Sequence, residues 1–417
     1  MKFELFIAQR LSFKGDKTKS TSPSINIAVA GIAMAIVIMT VAIVVVLGFK
    51  HEIRQKVMGF DAQITILPLS NTSSIAQSNY INFNDSLQSI VSTILPDAEI
   101  SLSIKNPCIL KTDNNFLGVI LKGMDSNHDW SFVNSNIIDG EIPDYNNNEN
   151  ANKIIISKSI SAQLNLKVKD KIFAYYFLNN NIRTRRYEIA AIYESHFGEY
   201  DKLMTFGSIK ALQQLNNLPQ SWGNQLEIRN IPNDLIYDKS YEIQNHLYNA
   251  NHAGEIETLY SVENIYHRGA IYFNWLSLLD TNVIVILILM SIVSCFTLIS
   301  SMFIIILERV NMIGIMKSLG CTNAQLQRIF INMTQRLVLK GLIIGNIIAI
   351  SLILIQDSYH ILPLDPESYY LSYVPVKINW LYLVLLNIGV VITSYLTLIL
   401  PSKLIAKISP AKTIRYE

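Results

Sequence analysis

The stretch GIAMAIVIMTVAIVVVLGFKHEIRQKVMGFDAQITI, Gly31–Ile66, decides the fold class. It lies in a run from Ser20 to Phe49 that holds no charged residue, and Ile27 to Leu47 is almost continuously apolar. A bilayer core about 30 Å thick needs about 20 such residues in one helix. The run is also longer than the roughly 7–15 apolar residues of a cleaved leader, and a polar segment precedes it, so it reads as a retained span. The helical spacing continues past the apolar run. Phe49, Ile53, Val57 and Phe60 recur at i, i+4, i+8 and i+11, with Gly59 near the end. Beyond them Ala62–Leu69 alternates as a strand.

Three further runs extend the reading. Thr281 to Leu307 and Ile378 to Ser402 carry no charge, and Leu337 to Gln356 has Lys340 near its start, where a lysine can snorkel to the interface. The whole chain has 417 residues, 50% hydrophobic and only 16% charged, against about 25% charged in soluble proteins. Basic residues cluster in three segments. They are Lys2, Arg10, Lys14, Lys17 and Lys19 before the first span, Arg309, Lys317, Arg328 and Arg336 between the second and third, and Lys403, Lys407, Lys412 and Arg415 at the end. The loop between the third and fourth spans has Asp357, Asp365 and Glu367 against Lys377. The positive-inside rule then sets both termini in the cytoplasm.

The expected fold is thus membrane α-helical, with four transmembrane helices, N-in/C-in, and a large α+β extracytoplasmic domain inserted between the first and second spans. The divisions are a cytoplasmic amphipathic segment at 1–24, span one at 25–48, the external domain with helical stalks at both ends at 49–278, and span two at 279–307. A cytoplasmic segment at 308–334, span three at 335–356, an external loop at 357–377, span four at 378–401 and a cytoplasmic tail at 402–417 complete the chain. Phe3, Phe6, Ile7 and Leu11 suit a short helix in the headgroup region. In the external domain Glu99–Lys111 and Phe116–Lys122 read as a hairpin, and Lys171–Leu178 and Tyr187–Tyr193 as a pair across a basic tip. The strands divide between two subdomains that interrupt each other. Val262, Ile265, Tyr266, Phe273 and Leu276 read as a helix leading into the second span. Cys108, Cys295 and Cys321 fall in three different compartments, which excludes an intrachain disulfide.

No P-loop pattern G-x-x-x-x-G-K-[ST] occurs, nor H-E-x-x-H, C-x-x-C or G-x-S-x-G. His196, Glu199 and Asp201 are the nearest approach to a metal cluster, and three such residues close in sequence fit a solvated loop better; no metal is expected. Glu308–Phe330, ERVNMIGIMKSLGCTNAQLQRIF, reads as a short amphipathic helix on Ile313, Met316 and Leu319, ended by Gly320, with a second helix starting at Thr322 or Asn323.

Three segments carry a resemblance to lipoprotein-releasing (Lol-type) ABC transporter permeases, within the FtsX-like/MacB-like permease superfamily. They are the first span and its exit, with Gly48, Phe49, Glu52 and Gly59; the segment with Glu308, Arg309, Ile313, Gly314, Lys317, Leu319 and Gly320; and the loop PLDPESYYLSYVPVKINW, Pro363–Trp380. The ending PSKLIAKISPAKTIRYE also fits. SISAQLNLKVKDKIFAY also resembles the family's helix–strand unit, with Lys169-Asp170 where Gly-Asp is usual. The resemblance implies a non-catalytic permease subunit of a bacterial inner membrane, with a periplasmic domain, that extracts lipoproteins by mechanotransmission. An ABC ATPase subunit supplies hydrolysis and binds ATP and Mg, so this chain carries no cofactor. A second permease subunit, membrane lipids, a lipoprotein substrate and a periplasmic carrier are the further partners, and no nucleic acid is. Glu308, Arg309, Ile313, Gly314, Met316, Lys317, Leu319 and Gly320 would form the coupling helix that seats in the ATPase. Pro363, Leu364, Asp365, Pro366, Tyr369 and Tyr370 mark the periplasmic loop, and Arg183, Arg185 and Arg186 are the candidate carrier contact. Met34, Met39 and Val44–Val46 are candidates to line an apolar path for acyl chains. The alternatives are a MacB-like efflux permease for peptides or other amphiphiles, and a non-transporting FtsX-like relay.

Overall fold

A computed structural model describes residues 23–69, 80–125, 128–178 and 181–407. The expected headgroup helix in the N-terminal tail, and Pro410, Ala411 and Arg415–Glu417 of the ending, lie outside the described residues. Four helices are long and apolar enough to cross a membrane: Pro23–Phe60, Ala270–Glu308, Asn323–Tyr359 and Trp380–Ser402. They flank a large β-rich extracytoplasmic domain. The chain divides into two compact units, one of residues 1–51, 275–363 and 373–417, the other of residues 52–274 and 364–372.

In the helical unit, Ile32, Ile36 and Met39 of the first helix pack with Met302 and Ile305 of the second, Phe330 and Val338 of the third and Leu398 of the fourth. Lipid tails supply no hydrophobic drive between helices, so close backbone approach and polar contacts must hold them. The third helix provides both. A side chain at Gly341 would meet Ile32 at 2.9 Å and one at Gly345 would meet the Ala33 carbonyl at 2.8 Å, so this small-xxx-small pair lets the first helix lie against the third. On another face the Asn346 amide donates to Asn387 at 2.7 Å, and Gln335 bonds Ser394 and the Val391 carbonyl of the fourth helix at 3.2 Å each. Met39 is buried in this cluster and Val44 in a second one with Ile353 and Leu383, while Met34 is exposed.

The other unit is built on one ten-stranded sheet. Its order is Tyr260–Asn264, Ile64–Pro68, Gln225–Arg229, Glu99–Lys111, Phe116–Met124, Met204–Ser208, Lys153–Ser157, Asn181–Tyr193 and Ile137–Gly140. Lys171–Leu178 lies off this path, pairing with both Glu99–Lys111 and Asn181–Tyr193. Two pairings are parallel, Phe116–Met124 with Met204–Ser208 and Lys153–Ser157 with Asn181–Tyr193. The expected division into two subdomains is corrected by this single path, because the 13-residue strand Glu99–Lys111 is long enough to pair with three neighbours along its length.

A second correction concerns the approach to the second long helix. Val262 lies in the strand Tyr260–Asn264, in register with Ile66, and not in a helix. Asn264 then caps a separate turn, Ile265–Arg268, its side chain accepting from the His267 amide at 3.0 Å. The segment YSVEN carries too few apolar residues to fix a period by itself, and pairing with Ile64–Pro68 decides it. The outer rim of that strand is occupied by Gln244, whose side chain donates to the Tyr260 carbonyl at 3.0 Å and accepts from the Val262 amide at 2.7 Å. Lys169 adopts φ +75° in a tight turn, with Asp170 accepting from the Lys167 amide at 2.7 Å.

Candidate functional site

Between the second and third long helices, Val310–Ser318 forms a short helix with two unlike faces. Ile313 and Gly314 are buried, Ile313 in the apolar cluster that also holds Leu326, Phe330, Leu398 and Ile405. Met316 is half-buried against the same cluster. Lys317 reaches across to donate to the Ile405 and Ala406 carbonyls at 2.7 and 3.3 Å. The helix ends in a Schellman turn: the Cys321 amide bonds the Met316 carbonyl and the Gly320 amide the Lys317 carbonyl, both at 3.0 Å. Gly320 takes φ +90°, a conformation costly for any residue with a side chain. Thr322 and Gln325 form a capping box that starts the next helix at once.

The tight turn leaves Leu319 82% and Ile315 54% exposed, one helical turn apart, with Glu308 and Gly320 also exposed and Arg309 half-buried. Of the eight residues named from the sequence, Ile313 and Gly314 thus serve the chain's own core, while Leu319 stands out as an apolar knob. Ile315 was not named. Its signal was present, since the short helix carries apolar residues on both faces.

A second arrangement surrounds the C-terminal end of the first long helix, at the start of the β-rich unit. The Phe60 ring stacks on Tyr200 at 4.6 Å and meets Phe132 edge-on at 5.0 Å. Gly59 lies directly under the Phe132 ring, where a side chain would not fit. The helix's last carbonyls accept from two cations, Phe60 from the buried Lys122 ammonium at 2.9 Å and Met58 from the half-buried Arg229 at 2.7 Å. Cations at this end satisfy orphan acceptors and complement the helix dipole. Glu227 balances them, 2.8 Å from Lys122 and 3.1 Å from Arg229, with Ser103 donating to it at 2.8 Å.

Lys122 and Glu227 are both fully buried. Burial opposes the Glu227 charge, and Lys122 and Arg229 overcome it, holding the carboxyl well below its ordinary range. The next residue, Asp61, is paired with Lys105, lies 3.5 Å from Arg268 and accepts from the Tyr200 hydroxyl at 2.9 Å. Burial works against its charge too, and Lys105, Arg268 and Lys122 again prevail, so it stays ionised. His128, beside this group, is held neutral: burial first, then Lys122 and Arg229, draw it down to about 3. None of these charges was singled out in the sequence, where a lone lysine or glutamate in a strand reads as a solvated position.

Of the other residues marked from the sequence, Gly48 lets the Pro375 carbonyl approach to where a side chain would lie 2.5 Å from its oxygen, and Phe49 meets Trp275 edge-on at 6.1 Å. Glu52 lies near Lys56, whose half-buried ammonium is drawn by burial to about 8, against the attraction of Glu52 and Asp201. The segment Leu364–Ser372 packs as part of the β-rich unit. It holds a helical turn, Pro366–Tyr369, with Asp365 accepting from the Ser368 hydroxyl at 2.7 Å. Pro363 sits just outside that segment, in an isolated bridge with Tyr373.

The three arginines of the hairpin separate. Arg183 donates to the Leu215 carbonyl, and Arg185 to Asn152, the Ala211 carbonyl and Gln214 at 2.6–2.9 Å. Arg186 lies on the outer face, 5.7 Å from the Phe173 ring centroid, beside exposed Phe177 and Ile182. His196, Glu199 and Asp201 do not converge. Asp201 takes the Ser195 hydroxyl at 2.6 Å and Glu199 the Tyr272 hydroxyl at 2.5 Å, and among the described residues no group of three metal-ligand types gathers.

Residues 284–410 match the family described as FtsX-like permease C-terminal. The chain is 20% identical over 278 residues to "Lipoprotein-releasing system transmembrane protein LolC" of Xylella fastidiosa (strain 9a5c), covering 63% of this chain and 65% of that protein. It is 26% identical over 172 residues to "Lipoprotein-releasing system transmembrane protein LolE" of Haemophilus influenzae, covering 37% and 41%. The chain therefore spans less than two thirds of the length of these relatives. Among solved structures, the extracellular domain of the noncanonic ABC-type transporter YknZ from Gram-positive bacteria is similar at 12% identity, with TM-score 0.34 over 48% of this chain and 99% of that one. The periplasmic region of MacB from Actinobacillus actinomycetemcomitans is similar at 10% identity, with TM-score 0.33 over 51% and 92%.

Proposed function

We propose that this chain, a membrane protein of the FtsX/MacB-like permease superfamily, is the permease subunit of an ABC-type complex that extracts lipoproteins from the outer leaflet of a bacterial inner membrane. The observation that carries the reading is the knob of Ile315 and Leu319. Its helix is fastened from behind by Ile313, Gly314 and Lys317 and shows apolar side chains outward. Such a surface suits a separate ATPase subunit, and a chain without a P-loop must borrow its nucleotide chemistry. The basic residues of the flanking segments support a cytoplasmic side for this helix and both termini under the positive-inside rule.

Closure of the ATPase, which binds ATP and Mg, would move the knob, and the long helices would pass the motion outward as rigid rods. A second permease subunit would complete the membrane pair. Two considerations support lipoprotein as the cargo: the names of the curated relatives, and the PLDPESYY loop at Pro363–Tyr370. The outer face of the hairpin, with Arg186, Phe173, Phe177 and Ile182, is the surface we assign to a periplasmic carrier. The test is depletion of the protein followed by separation of the two membranes. Lipoproteins are expected to accumulate in the inner membrane; normal arrival at the outer membrane would leave efflux of other amphiphiles, or a relay without cargo, as the function.

A further inference from the structure

The loop Leu364–Ser372 joins the third and fourth long helices in sequence but packs with the β-rich unit. Its neck is closed by the Leu364 amide bonding the Ser372 carbonyl at 2.9 Å, and its helical turn ends with the Tyr370 amide on the Pro366 carbonyl at 3.0 Å. Tyr370 then takes φ +61°. A non-glycine residue is held in that conformation, at a cost of about 1–2 kcal/mol, only where its surroundings over-determine it. The surroundings are specific. Its carbonyl accepts from the Lys56 ammonium at 3.1 Å, and the same ammonium donates to the Ser195 carbonyl at 2.6 Å. Its ring meets Phe197 at 5.1 Å and Tyr272 at 5.5 Å, both near edge-on.

Lys56 belongs to the last turns of the helix that carries the chain into this unit, and Tyr272 to the first turn of the helix that carries it out. The turn at residues 195–201 receives all three. Its Glu199 takes the Tyr272 hydroxyl, and its Phe197 stacks on Tyr200 at 5.1 Å, which in turn stacks on Phe60. The loop is therefore gripped by the two helices that enter and leave the unit.

We infer that Tyr370 and Lys56 are positioning residues for transport, a clasp that makes the loop a third attachment through which the third and fourth helices move the β-rich unit. The inference rests on the permease reading above. A third attachment adds a path by which force arriving through the helices reaches the unit.

The test uses the full chain reconstituted in proteoliposomes with its ATPase, with a fluorescent acylated lipoprotein as cargo. Tyr370→Gly removes the ring yet suits the left-handed backbone, and Lys56→Met removes the ammonium while keeping its stem. Both are expected to speed amide exchange across Leu364–Ser372, to leave ATP hydrolysis within about twofold, and to lower lipoprotein released per ATP about tenfold, a usual size for coupling between sites. Lys56→Arg, which keeps the donor, is expected to restore most of the release. Faster exchange with unchanged release per ATP would overturn the inference, since the clasp would then be merely structural, and so would unchanged exchange. A wild-type chain that releases no lipoprotein would fail at the earlier step, sinking the permease reading and the inference with it.

Discussion

The end of the first long helix and the end of the short helix at Ser318 are finished in opposite ways. At Phe60 the last carbonyls are taken by Lys122 and Arg229, the ring is enclosed by aromatic neighbours, and Glu227 balances the cations in the interior. At Ser318 the turn closes on its own main chain, and Leu319 and Ile315 are left in the open. A buried ion pair is a poor source of stability compared with apolar packing, but it becomes very costly once one partner is missing. It therefore suits a joint that must keep one geometry. An exposed apolar pair adds nothing to the folded chain and is useful only when something covers it.

The largest effect that could break this contrast is expected at Glu227. Glu227→Ala would leave Lys122 unbalanced in the interior, with Arg229 beside it, and should destabilise the β-rich unit by about 3–5 kcal/mol, read from denaturant unfolding. A loss below about 1 kcal/mol would mean that solvent reaches the joint and that it is no different from a surface pair. The knob should respond the other way round. Leu319→Asp is expected to leave stability within about 0.5 kcal/mol and to weaken capture of the ATPase about thirtyfold, the effect of losing about 2 kcal/mol at a binding hot spot. Equal capture of wild type and variant would return Leu319 to the status of an ordinary exposed residue.

A smaller effect separates the two regions by pH. His128 is held at about 3 in the folded chain, first by burial and then by Lys122 and Arg229, against the attraction of Glu227 and Asp129. The unfolded chain, near the ordinary 6.5, binds the extra proton first. Its contribution is complete above pH 6.5 and is lost as pH falls towards 3, by about 1.4 kcal/mol for each unit. The β-rich unit should therefore weaken by roughly 1 kcal/mol between pH 6.5 and 5.5, where the unfolded imidazole is still taking up its proton, and His128→Asn should flatten that slope. An unchanged slope in the variant would assign the acid sensitivity elsewhere. Asp61 adds a loss of the same sign only below the ordinary carboxylate value, because its folded value is depressed.

The long helices were legible because an uncharged run of spanning length has few other interpretations, and the hairpins because alternation and turn residues are local signals. What could not be read depends on distant pairing. The Lys122 ammonium and the Glu227 carboxylate are 105 positions apart, and nothing in FLGVILKGM or QLEIR says that they meet. The Lys56–Tyr370 contact spans 314 positions. Val262 reads either way because the five residues YSVEN hold too little apolar pattern to fix a period until their partner strand is known. Ile315 was passed over because one face of its helix matched a familiar pattern, and the opposite face was given no weight. Lys169 takes a left-handed backbone that its side chain gave no reason to expect.

Gln244 closes the rim of the strand Tyr260–Asn264 with a side-chain amide placed where another chain's backbone would bond. An open rim would offer a template on which extended segments could be copied, and copies could grow into fibres. Under the proposed lipoprotein cargo, that hazard would recur at every turnover. By giving the rim a partner that cannot itself be extended, one glutamine makes crowding with unfolded chains harmless at that edge. Its removal should therefore appear first as slow polymerisation on storage, well before any change in melting temperature.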